Sequence, residues 1–169
     1  MSKRRCFFAM GWEGSGTNLL AEALVSAGCH YEGWHAGYND DYKFDEMPDL
    51  LVFRRSLPHA HRWPDLQHLR NQMENAGYSV QPLFTVRDWN STICSVIRRG
   101  YQGSREDCEG NMRYALGHVY EGFGDELIVV SYEAFCQSPA FRKWLFCDRL
   151  GLKEPTIKIR PSENEKYYD

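Results

Sequence analysis

Three stretches hold residues whose types and spacing could do chemistry. The first is "GWEGSGTN", Gly11 to Asn18, which keeps the G-x-x-x-x-G frame of a phosphate-binding loop between an apolar run and a helix-like run. Glycines there let the backbone turn sharply, so that successive N–H groups point into one concavity, and the helix N-terminus adds the positive end of its dipole. Gly14, Ser15, Gly16, Thr17 and Asn18 are therefore the candidate anion cradle. The lysine that ATP- and GTP-using loops place directly after the last glycine is Thr17 here, and Asn18 replaces the Ser or Thr that would hold Mg²⁺. Phosphoryl transfer relies on that lysine and metal to neutralise the γ-phosphate. A sulfuryl group, carrying a single negative charge, needs less neutralisation. The plain alternative is a glycine turn that holds no ligand.

The second stretch, "FTVRDWNSTICSVIRRG", places Arg87 at the end of an apolar run and Ser95 eight positions later, inside a following helix. An arginine fork and a hydroxyl suit a terminal phosphate. The third, "LLVFRRSLPHAHRWPD", gathers Arg54, Arg55, Ser56, His59 and His61 past another apolar run. A near-neutral imidazole suits proton removal from an alcohol, which makes His59 the candidate base, and Arg55 the candidate cation in place of the absent lysine. By strand alternation only one of Arg54 and Arg55 can face the glycine turn, and Arg55, leading into the turn that carries His59, is the expected one. Glu13 is an alternative base. Surface arginines and histidines in a polar turn are the plain alternative. Arg98 and Arg99 either reinforce the phosphate site or cap their helix, and Trp34 and His35 read as loop packing.

These residues need elements to position them. Arg5–Met10, 49–53, 79–86 and 126–132 read as strands, and 17–27, 63–77, 91–100, 104–124 and 139–150 as helices, with Ser104 capping the fourth. Residues 29–48, aromatic and acidic, read as one long loop. Tyr114, His118 and Glu121 fall at helical spacing and are expected on a half-buried face. Strands alternating with helices predict an α/β domain over 1–169, with a mainly parallel central sheet and helices on both faces. The ligand crevice is then expected at the carboxyl ends of the strands.

Composition bounds the partners. The 169 residues are 43% hydrophobic and 25% charged, with a net charge of −3, so no global basic field exists for nucleic acid or an anionic membrane. No segment reaches the length of a transmembrane span, and the apolar start is too short for a signal-peptide core. The six cysteines form no CxxC pair, which predicts free thiols in a reducing cytoplasm and no bound metal.

In this combination the sequence resembles the P-loop sulfotransferases, which use 3′-phosphoadenosine 5′-phosphosulfate (PAPS). The resemblance rests on "GSGTN" at 14–18, on Arg87 with Ser95, on "IVVSYEAFCQSP" with Tyr132, and on the C-terminal "ENEKYYD", which resembles tails of bacterial and viral members. It implies a three-layer P-loop NTPase-like fold. It implies that 14–18 hold the 5′-phosphosulfate, that Arg87 and Ser95 hold the 3′-phosphate, and that Tyr132 lies beside the adenine. The implied reaction moves a sulfuryl group from PAPS to a hydroxyl of a small molecule or glycan. Two positions depart from the pattern: the loop cation is Gly14 and the following tryptophan is Leu19. The alternatives are a P-loop nucleotide kinase-like enzyme and a non-catalytic nucleotide-binding protein on the same scaffold.

Overall fold

The computed structural model describes residues 4–32, 42–58, 62–159 and 164. Five strands, β1 (Arg4–Gly11), β2 (His30–Glu32), β3 (Leu50–Ser56), β4 (Tyr78–Val86) and β5 (Ile128–Ser131), form one sheet in the order β2-β3-β1-β4-β5. All four pairings are parallel. The helices are α1 (Thr17–Ser26), α2 (Leu66–Asn75), α3 (Trp89–Arg98), α4 (Arg105–Phe123), α5 (Tyr132–Gln137) and α6 (Pro139–Lys143), the last running into a π-helical stretch at Trp144–Arg149.

Alternation along β1 separates two cores. Phe7 and Ala9 pack with Leu20 and Leu24 of α1, Phe135 of α5 and Phe146, whereas Phe8 and Met10 pack with Leu69 of α2, Ile93 of α3 and Val119 of α4. Helices therefore cover both faces of the expected α/β sheet. The basic start of β1 anchors the edge away from the glycine turn. Arg4 donates to the carbonyls of Ala76 (2.6 Å) and Phe44 (3.0 Å), and Arg5 to that of Leu150.

Several expected boundaries move. The stretch read as a single loop contains the edge strand β2, and the strand expected at 49–53 continues to Ser56, so Arg54 and Arg55 lie inside β3. The helix expected from 63 begins at Leu66 with Asp65 as its cap, which leaves Pro64 outside it. The strand expected to end at 132 ends at Ser131, and Tyr132 opens a helix. On α4 the buried stripe is Cys108, Met112, Ala115, Val119 and Phe123; Tyr114 and Glu121 are exposed and His118 is half-buried. Tyr114 stacks on His118, with Trp63 edge-on, at the surface.

All six cysteines are free thiols. Burial pushes the Cys29 thiol up to about 12 against the opposing pull of Arg5, so it stays protonated and inert at neutral pH. Among the described residues no helix is long and apolar enough to cross a membrane. Within α4, a Cβ on Gly117 would meet nothing within 4 Å. Gly117→Ala is thus expected to stabilise the fold by about 1 kcal/mol through reduced backbone entropy. On a chain of this length that raises the melting temperature by about 2–4 °C. Calorimetry showing no gain would mean the backbone there is not regular helix.

Candidate functional site

The glycine turn joins β1 to α1 at the carboxyl edge of the sheet, and three local features shape it. Gly14 and Gly16 have φ of +81° and +100°, a left-handed conformation that side chains rarely adopt. The Ser15 hydroxyl is buried and donates to the Trp12 carbonyl at 2.8 Å, while sharing a 2.8 Å hydrogen bond with Thr85 of β4. Trp12 pins the turn from the far side, its indole N–H donating to the Met112 carbonyl at 3.1 Å and its ring edge-on to Phe84 and Trp89. The turn is held from both flanks.

The start of α1 differs from that of every other α-helix described. Asp65, Asp88, Ser104, Ser131 and Ser138 each cap their helix by accepting a backbone N–H, whereas Gly16, at the cap of α1, offers no side chain. The first N–H groups of a helix lack intrahelical partners. Beside the start of α1 lies an open cleft of about 500 Å³ whose lining includes Gly14, Gly16, Thr17, Asn18 and Tyr132, the cations Arg87, Arg99 and Lys158, and one carboxylate, Glu22. Anions suit such a place on two counts, the dipole and the surrounding cations.

Arg87 follows β4 directly and is the centre of the cleft. One guanidinium nitrogen, Nη1, donates to the Gly14 carbonyl at 3.0 Å, and Nε donates to Asn164 Oδ1 at 2.7 Å. The guanidinium carbon lies 4.6 Å from the centre of the Tyr132 ring. Tyr132 in turn abuts the turn so closely that a Cβ on Gly16 would meet its ring at 2.5 Å. Ser95 faces the same turn from α3. Its hydroxyl is buried and has no hydrogen-bond partner among the described residues, and it would lie 3.2 Å from a Cβ placed on Gly14. The structure thus brings Gly14, Ser15, Gly16, Thr17, Asn18, Arg87, Ser95 and Tyr132 to one place, with Ser15 and Ser95 beneath the turn and the others along the cleft.

The arginine pair divides as alternation requires, in the sense opposite to the expected one. Arg54 shares the face of Val52, the α1 side, and its guanidinium lies 3.5 Å from the Thr17 hydroxyl and 3.3 Å from that of Ser56. The Tyr31 hydroxyl accepts from its Nε at 2.9 Å and fixes its direction. Arg55 shares the face of Phe53, is buried, and lies over the rings of Phe53 and Tyr42 at 4.8 and 5.0 Å. The physical reason is that β3 runs on to Ser56: both arginines are strand residues, so Arg55 keeps the face of Phe53 and Arg54 that of Val52, and Arg55 does not lead into a turn that could aim it at the loop. Glu13 turns away from the cleft toward Pro58, Gln102 and Asn111. His59, His61, Trp34 and His35 lie outside the described residues.

Glu133 reads in the sequence only as an acidic residue after a strand, yet it ties together the Asp88 backbone, Asn164 and Ser131 next to Arg87. Its carboxylate accepts the Asp88 backbone N–H at 2.8 Å, the Asn164 amide at 2.7 Å and the Ser131 hydroxyl at 3.2 Å. Burial alone would raise its pKa, but these donors outweigh it and hold the carboxyl below its ordinary value. Asn164 falls inside the "ENEKYYD" tail, which carries no role for it, and Tyr31 carries no signal; each gains its role through a contact distant in sequence. Compared with known proteins, the chain matches no family model and no curated protein.

Proposed function

We propose that the cleft binds PAPS and that the chain transfers its sulfuryl group to a hydroxyl of a small molecule or glycan, on a three-layer fold of the P-loop NTPase kind. The observation that carries this reading is the position of Arg87, stacked on Tyr132 and bonded to Gly14, where a strand-to-helix glycine turn meets an uncapped helix. A fork of N–H donors suits a 3′-phosphate, and the open N–H groups of α1 suit the 5′-phosphosulfate. The acceptor oxygen attacks sulfur and the S–O bond to the 5′-phosphate breaks. Adenosine 3′,5′-bisphosphate leaves, and the acceptor gives up its proton. Negative charge builds on the bridging oxygen as that bond opens, and Arg54, at the head of α1, is the cation placed to meet it. Arg54 here takes the role expected of Arg55, and the base remains His59.

A second reading, a nucleotide-binding protein without transferase activity, is favoured by Gly14 itself. Its positive φ strains any side chain there, and a Cβ would press on the Ser95 hydroxyl at 3.2 Å, so a loop cation at that position is disfavoured. A kinase-like enzyme would need an acidic residue near the phosphates for Mg²⁺; Glu22 lines the cleft, whereas Glu133 is committed to Asp88, Asn164 and Ser131.

A thermal-shift panel in EDTA separates these readings. Adenosine 3′,5′-bisphosphate at about one hundred times its Kd is expected to add about 2.7 kcal/mol. That corresponds to about 5–11 °C on a chain of this length. A shift with ATP or GTP only when Mg²⁺ is present would replace the transferase by the kinase reading. No shift with any nucleotide would remove both. Sulfuryl transfer to a panel of alcohols and phenols then distinguishes an enzyme from a binding protein.

A further inference from the structure

We propose that Asn164 is a positioning residue that orients Arg87 in the cleft; its role in nucleotide recognition rests on the function proposed above.

The geometry is a three-residue relay. Glu133 Oε1 accepts from the Asn164 amide nitrogen at 2.7 Å, and the Asn164 amide oxygen accepts from Arg87 Nε at 2.7 Å. The chemistry at both ends admits one orientation of that amide. An ionised carboxylate only accepts, so it must receive the NH₂, and a guanidinium only donates, so it must meet the oxygen. Reversing the amide would set donor against donor and acceptor against acceptor. Asn164 is itself 8% exposed, so both bonds are sheltered from competing water. Its partner Arg87 lies 77 residues earlier in the chain.

The relay has a second anchor. The same Glu133 oxygen accepts the Asp88 N–H, and Asp88 caps α3, which carries Ser95. The fixed end of the relay is thus tied to the backbone that follows Arg87. With Nε held by Asn164 and Nη1 by Gly14, the guanidinium plane is set on the Tyr132 face. Without Asn164 the arginine keeps its charge, its Gly14 bond and its place on Tyr132, and loses the bond that fixes Nε. A rigid fork recognises phosphate by direction as well as by charge.

The test uses the full chain and two readouts. The first needs no ligand: the Arg87 Nε–H proton is expected to give a nuclear magnetic resonance signal protected from exchange with water. It should be lost in Asn164→Ala and kept in Asn71→Ala, at an exposed position of α2 outside the cleft. The second is affinity for adenosine 3′,5′-bisphosphate against adenosine 5′-monophosphate. Asn164→Ala should weaken the bisphosphate about ten-fold and the monophosphate less than about two-fold, while Asn71→Ala keeps the wild-type ratio. An unchanged Nε–H signal in Asn164→Ala overturns the positioning role. A lost signal with an unchanged affinity ratio overturns the role in recognition. If the wild type binds neither nucleotide, the proposed function falls, and the resonance experiment still decides whether Asn164 orients Arg87.

Discussion

Replacing Arg54 by alanine is expected to lower sulfuryl transfer about 100-fold, the loss typical of one donor aimed at charge that develops in the transition state. The guanidinium stands 3.5 Å from the Thr17 hydroxyl and 3.3 Å from that of Ser56, at the head of α1, where the bridging oxygen of a bound phosphosulfate would come to rest. Because the arginine acts mainly as the S–O bond opens, affinity for adenosine 3′,5′-bisphosphate should change by less than about two-fold. Tyr31→Phe removes the hydroxyl that fixes Nε and should give a smaller loss of the same kind. Arg55→Ala should behave differently, lowering the melting temperature while sparing turnover per folded molecule, since Arg55 packs over Phe53 and Tyr42. Steady-state kinetics on the four proteins checks this. Full turnover in Arg54→Ala would return the catalytic cation to another residue.

Among the described glycines, Gly11→Ala should be the most damaging added methyl. Gly11 ends β1 between Ser56 and Thr85 of the neighbouring strands, and a Cβ there would meet Thr85 Oγ1 at 2.1 Å, Ser15 Oγ at 2.5 Å and Thr17 Cγ2 at 2.8 Å. None of the three can step aside cheaply: all are buried, and Ser15 and Thr85 are bonded to each other. Overpacking of this kind costs about 3 kcal/mol. The melting temperature should fall by about 6–12 °C. The turn must shift to relieve the contact, so nucleotide affinity should fall as well, by more than about ten-fold. Gly103→Ala, where a Cβ meets nothing within 4 Å, is the control and should change neither property. Wild-type stability in Gly11→Ala would mean the turn is far softer than its contacts indicate.

Local pattern made the strand–glycine–helix unit readable, because β1 is a continuous apolar run and Gly11, Gly14 and Gly16 punctuate it before an amphipathic helix. The spacing of Arg87 and Ser95 was readable for the same reason: one ends an apolar strand and the other falls on the inner face of the next helix. Two things hid the rest. Charge at Arg54 and Arg55 hides the last residues of β3; alternation says that only one of the two faces the loop, and nearness to the turn, which favours Arg55, is a poor guide to which one once both are strand residues. The three-residue edge strand His30–Glu32 is too short to show a period. Long-range polar contacts were hidden altogether. Nothing in the local sequence around Asn164 or Tyr31 says that the first will bond Arg87 or the second Arg54, since those partners meet only once the sheet has formed.

The claim on which the account turns is that Arg87 reads a 3′-phosphate beside the glycine turn. Calorimetric titration of adenosine 3′,5′-bisphosphate and adenosine 5′-monophosphate into wild type and Arg87→Ala, without Mg²⁺, tests it most directly. The account predicts that the wild type prefers the bisphosphate, and that Arg87→Ala loses at least about ten-fold for the bisphosphate and far less for the monophosphate, as removal of a charge-assisted pair requires. Equal losses for the two ligands, or no preference in the wild type, would contradict it and leave Arg87 as a clamp on the Gly14 carbonyl alone.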